Sequence, residues 1–153
     1  MIVLVVLGVL ALDQVTKAWA LATLQDRVIN IVPTVQFRLT YNSGFSFGLG
    51  ADYGPLVAVV VLAVALLLAR AALRERDVVR SVLFAVILGG ALGNIVDRLL
   101  RGEAGPLSGS VVDFIAVTWY AVFNVADMFV VCGAVLLVLT ELRRQPEPEA
   151  EAV

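Results

Sequence analysis

The 153-residue chain contains no histidine and a single cysteine, Cys132, set in an apolar run. A histidine-based catalytic triad, a cysteine and histidine pair, a zinc site and a disulfide framework are thereby set aside. Cys132 is expected to act as a buried small hydrophobe. Excess charge of one sign is also missing: 11 Lys and Arg stand against 13 Asp and Glu, for a net charge of −2. No basic cluster is interleaved with aromatics, so there is no footprint for nucleic acid. Carboxylates are the obvious catalytic material that remains.

What the chain has in abundance is apolar sequence: 61% hydrophobic residues and a mean hydropathy of +0.97, against roughly 45–50% in soluble domains. A transmembrane helix needs about 20 mostly apolar residues, so four crossings and short loops nearly exhaust this length. Spans are predicted at about 2–24, 55–73, 81–100 and 122–142, with Pro55 well placed in a first helical turn. The Ile2–Leu12 run has the length of a signal-peptide core. No basic residue precedes it, no small-x-small cleavage site follows it, and the apolar pattern resumes past Asp13 and Lys17, so it reads as the first span. Residues 25–54 are polar and turn-rich, and their 28–38 part carries β-branched residues in rough alternation, which suits short strands.

The densest positive charge, Arg70, Arg74, Arg76 and Arg80, falls between the second and third spans and is cytoplasmic by the positive-inside rule. An even number of crossings puts both termini on that side. The Pro/Glu/Ala tail, 146–153, is expected to be disordered. The predicted architecture is an all-α membrane protein, a four-transmembrane-helix bundle with a small extracytoplasmic β-element between helices 1 and 2, in one domain over 1–145. No internal repeat relates the halves, which weakens a reading as a transporter with duplicated halves.

Ionisable groups inside a bilayer cost about 2.5–3.5 kcal/mol each on insertion scales, so each is a functional hypothesis. Asp13 and Lys17 lie four apart on one face of the first span and are able to pair. An ion pair fixing helix packing is the plainer reading, a catalytic role the other. On the third span Asn94, Asp97 and Arg98 share a face, and Gly89 and Gly93 form a small-xxx-small pair that admits a neighbouring helix. Asn94 and Arg98 suit a substrate-facing role or a structural polar network, since both use the same hydrogen bonds. The fourth span opens with Asn124 and Asp127, and Asp113 lies in the run 110–117, too apolar for a solvated loop. Each Asp taken alone is equally readable as a helix-capping or loop residue. Brought together, two such carboxylates share one proton. That state splits an amide: one takes a proton from the attacking water while its protonated partner polarises the scissile carbonyl.

Asp13-Gln14-Val15-Thr16-Lys17, Tyr41-Asn42-Ser43-Gly44 with Phe47-Gly48, Gly89 through Arg98, Val111-Val112-Asp113-Phe114 and Phe123-Asn124-Val125-Ala126-Asp127 are five ordered segments. Together they resemble the successive motifs of the lipoprotein signal peptidase family, signal peptidase II. The resemblance covers about 12–127. It implies an aspartic endopeptidase of the bacterial inner membrane that removes signal peptides from diacylglyceryl-modified prolipoproteins, cutting before the lipidated Cys. It further implies Asp113 and Asp127 as the catalytic dyad, with Asn42, Gly44, Asn94, Arg98 and Asn124 binding substrate or orienting the carboxylates. Asp13, Lys17 and Asp97 would be structural polar groups. The site would lie toward the extracytoplasmic side. No metal or organic cofactor is implied, and the partners are the lipidated substrate and membrane lipids, with a monomer as the working expectation. The spacing from Asp113 to Asp127 is short and leaves little loop between Trp119 and Phe123. The alternative function is a proton- or ion-coupled transport subunit with Asp13, Lys17, Asp97 and Asp127 as a relay, which would need ionisable groups on both halves of the bilayer.

Overall fold

Residues 2–12 are Leu, Val, Ala and Ile broken only by Gly8, and in the computed structural model they form one helix, α1 (Ile2–Thr23), with the more mixed residues that follow. Its 22 residues rise about 33 Å, enough to cross the apolar core of a bilayer. Asp13 and Lys17 do not break it, because both side chains are fully buried and paired with each other. At its end Arg27 Nε donates to the Thr23 carbonyl at 2.7 Å, satisfying a group the last turn leaves open. The structure describes residues 1–43, 54–102 and 107–143.

The remaining elements are β1 (Ile29–Val32), β2 (Val35–Asn42), α2 (Gly54–Arg74), α3 (Val78–Leu100), β3 (Val111–Val117) and α4 (Val125–Leu142). Helix α3 packs against the other three helices, and its glycines explain how closely. A Cβ on Gly89 would meet Val9 of α1 at 2.8 Å, one on Gly93 would overlap the Asp13 carboxylate, and one on Gly90 would lie 2.6 Å from the Ala126 carbonyl of α4. The small-residue stripe read from the sequence therefore faces α1 through Gly89 and Gly93, while Gly90 admits α4. On the α2 side, Ala65 packs with Leu88, Ala91 and Ile95, and Ser81 Oγ donates to the Ala72 carbonyl at 3.0 Å.

Outward flanks of α1, α2 and α4 expose Leu4, Leu7, Val15, Leu66, Leu67, Val131, Val135 and Leu136, an apolar girdle that water would not tolerate. Among the described residues, three helices, α1, α3 and α4, are long and apolar enough to cross a membrane. Cys132 belongs to this outward surface, which corrects its expected burial. Lipid is as apolar as a protein core, so hydrophobicity does not tell a helix which flank to hide.

The strands form one antiparallel sheet in the order β1-β2-β3. Here the expectation of a β-element drawn only from the segment between the first two helices is corrected, because its third strand follows α3. Strand β3 is buried along nearly its whole length, so the alternation that betrays a half-exposed strand is absent. The sheet is held to α1 by Trp19, Phe37 and Phe114, whose rings meet edge-on at 5.5–6.3 Å, and by Ala20 and Leu24 packed on Phe114.

Two helix starts differ from the predicted ones. Helix α3 begins at Val78 because the Asp77 side chain caps it, accepting from the Arg80 N–H at 3.0 Å. Helix α4 begins at Val125 because Phe123 turns back to pair with Ile115 of β3, exchanging backbone bonds of 2.8 and 3.0 Å.

Candidate active site

That return of Phe123 toward β3 shapes the site. It delivers Asn124, the N-cap of α4, against Asp113 of β3, and Asn124 Nδ2 donates to Asp113 Oδ1 at 2.6 Å. Asn124 and Asp127 also form a capping box: the Asp127 N–H donates to Asn124 Oδ1 at 3.0 Å and the Asn124 N–H to Asp127 Oδ2 at 3.1 Å. The capping reading of Asp127 is thus correct, and the same cap ties it to Asp113.

The other polar residues complete the arrangement. Strand register sets Thr40 opposite Asp113 and Asn42 opposite Val111, from where Asn42 Nδ2 reaches Asp113 Oδ2 at 3.2 Å. From α3, Asn94 Nδ2 donates to Asp127 Oδ1 at 2.8 Å, and Asn94 Oδ1 accepts from Asn124 Nδ2 at 3.1 Å. Each carboxylate accepts from two groups of the site and both are held by Asn124. Arg98, buried one turn further along α3, lies within electrostatic reach of Asp113 and Asp127. Burial, reinforced by the charge of Asp127, pushes the Asp113 carboxyl up to about 7, against the opposing pull of hydrogen bonds from Asn124 and Asn42 and the charge of Lys17.

Asn42, Asn94, Arg98, Asp113 and Asp127 line one cavity of about 310 Å³, whose opposite wall is apolar: Val60, Val61, Val64 and Leu68 of α2. Asp127 and Val130 also border a second, largely apolar cavity of about 450 Å³ beside Trp119, Tyr120 and Phe123. Carboxyl groups on the rim of apolar space suit chemistry on a chain that is itself partly membrane-embedded.

Of the residues singled out in the sequence, Asn42, Asn94, Arg98, Asp113, Asn124 and Asp127 meet in this cavity or on its border. Asp13, Lys17 and Asp97 lie beneath it as a buried ionic cluster, Lys17 Nζ standing 2.9 Å from Asp13 and 3.0 Å from Asp97. Gly44 lies outside the described residues. Sequence reasoning missed Gln14, which bonds Asp13 and the Gly93 carbonyl, and Arg101, whose Nε stands 3.2 Å from Asp97. Arg101 had a signal, its position four residues after Asp97; Gln14 stood in the first of the five ordered segments but was assigned no role there.

A helical bundle with an apolar girdle, a capping sheet and a polar cavity defines the class of a membrane-embedded enzyme. The same fold occurs in two solved structures of bacterial membrane enzymes determined in meso at 2.3 and 1.9 Å. Their TM-scores are 0.80 and 0.78, each at 23% identity; the first covers 99% of this chain and 93% of the other, the second 94% of each. Residues 5–143 match the family model of signal peptidase (SPase) II. Lipoprotein signal peptidases of Bifidobacterium adolescentis (36% identical, covering 93% of this chain and 76% of the relative) and Mycobacterium avium (42%, 88% and 74%) are similar along most of their length. The chain belongs to the signal peptidase II family.

Proposed function

We propose that this chain is an aspartic endopeptidase of the bacterial inner membrane that removes signal peptides from diacylglyceryl-modified prolipoproteins, cutting before the lipidated Cys. Its relatives carry the name lipoprotein signal peptidase, which supports the substrate class and lends nothing to the transport alternative. The observation that carries the catalytic type is the tethering of Asp113 and Asp127, from separate elements, to one asparagine beside a cavity with an apolar wall.

With its carboxyl raised to about 7, Asp113 is suited to hold a proton near neutral pH and to polarise the scissile carbonyl. Asp127 then serves as the base that takes a proton from the attacking water. Asn42, Asn94 and Arg98, with Gly44 in the same motif, meet the substrate backbone or steady the carboxylates, and Asn124 spaces the pair. The valine wall of α2 receives the apolar part of a substrate already resident in lipid, where each buried methylene contributes about 0.8 kcal/mol.

All four helices cross the bilayer in this proposal, as one peptidase domain over 1–145, monomeric, with the arginine-rich turn after α2 and both termini cytoplasmic. The site then opens toward the extracytoplasmic side. Purified wild type, Asp113→Asn and Asp127→Asn are compared on lipidated and unlipidated prolipoprotein, with products resolved by mass. Wild type cuts only the lipidated form, and each variant loses at least about 100-fold in rate. A folded variant that cuts at the normal rate would end the dyad assignment.

A further inference from the structure

Lys17 is the only lysine in the chain, against ten arginines, and its side chain is fully buried. An ammonium carries three donors. Lys17 Nζ finds three oxygens at 2.9–3.0 Å: Asp13 Oδ2, Asp97 Oδ2 and Asn94 Oδ1. Such a compact charge suits a three-way junction that the planar, longer guanidinium of arginine would not fill.

The other oxygen of Asp13 and the Lys17-bound oxygen of Asp97 go to backbone. Asp13 Oδ1 accepts the Ala126 N–H at 3.0 Å, the residue just before Asp127. Asp97 Oδ2 also accepts the Val112 N–H at 3.0 Å, the residue just before Asp113. A buried carboxylate therefore grips the backbone one residue ahead of each member of the dyad, and one ammonium joins the two grips. Arg101, at 3.2 Å from Asp97, brings the group of four to zero net charge. Folding alone does not require both grips to fall at the same offset from the two aspartates.

We infer that Lys17, Asp13 and Asp97 are positioning residues for the peptidase reaction: a three-membered brace that sets the separation of β3 and the α4 N-terminus, and so the spacing of Asp113 and Asp127. The inference rests on the dyad assignment above. The brace reaches a cavity-lining side chain directly at Asn94, through Lys17, while Asp13 and Asp97 hold backbone outside the cavity, so its larger effect is on turnover rather than on binding. Displacing reacting groups by about 1 Å costs on the order of 100-fold.

The test uses the full-length protein in detergent with lipidated prolipoprotein, comparing wild type, Asp97→Asn, Lys17→Met/Asp97→Asn and Asp113→Asn. The double variant removes one charge of each sign but leaves Asp13 without its cation, so Asp97→Asn, which keeps an acceptor for Val112, decides the outcome if the double variant does not fold. For the double variant kcat falls roughly 10- to 100-fold while KM stays within threefold, and the pH profile of kcat shifts. Asp97→Asn shows the same pattern more weakly. A double variant with a wild-type melting temperature, kcat and pH profile would overturn the brace and leave the dyad standing. Normal cleavage by Asp113→Asn would instead sink the dyad assignment on which the brace rests.

Discussion

Two ionic clusters of similar geometry lie at different depths of this protein. Beneath the cavity, Lys17 stands 2.9 and 3.0 Å from Asp13 and Asp97, each at most 1% exposed. Between the α2–α3 turn and the end of α4, Arg80 Nε stands 2.9 Å from Glu141 and 3.3 Å from Glu75, with Glu141 48% exposed. The distances nearly match, yet the second cluster has no aligned hydrogen bond at that nitrogen, and its Glu141 carboxylate is half in solvent. Exposed pairs of this kind contribute about 0–1 kcal/mol. In the buried cluster every charge is also bonded to backbone or to a neighbouring side chain, and loss of one member strands the others. What separates the two is the cost of leaving a partner alone, which separation does not report.

That contrast sets the order of expected effects. Asp13→Ala leaves the buried cluster with one positive charge in excess and the Ala126 N–H without its acceptor, and should destabilise by about 3–5 kcal/mol, read as a fall in melting temperature in detergent. A loss below 1 kcal/mol would place the buried cluster in the same category as the surface one. A smaller effect comes from Asp113, whose carboxyl rises from 3.8 to about 7 on folding. Between those values the folded state binds more protons than the unfolded one, so stability falls as pH rises through that window, by at most a few kcal/mol. Asp113→Asn should flatten that slope in melting curves taken across the same range, and an unchanged slope would assign it to another group. Smallest is Glu141→Gln, expected within about 0.5 kcal/mol of wild type and insensitive to added salt. A strong salt-dependent loss would show that the surface cluster is tighter than its exposure implies.

The helices were legible because long Leu, Val and Ala runs leave few alternatives. Most candidate-site residues were legible because ionisable and amide side chains in such runs demand a reason, whereas Asn42, in the polar stretch 25–54, was reached only through the family resemblance. Arg101 was within reach of the same spacing argument that paired Asp13 with Lys17. Strand β3 was not, since burial on both faces erased its period. The register that sets Asn42 beside Asp113 was hidden too, because 71 residues separate them and nothing local records pairing across that distance. The outward turn of Cys132 was equally invisible, lipid and core being alike to an apolar side chain.

Composition was sufficient to commit this chain to a bilayer, because transfer free energy sums over residues whatever their arrangement. Which carboxylates meet was left to packing. Glycines on α3 admit α1 and α4, a returning Phe123 swings the α4 cap onto β3, and the buried Lys17 draws two backbone grips together. Those are distances between remote parts of the chain, settled only when helices and sheet close on one another.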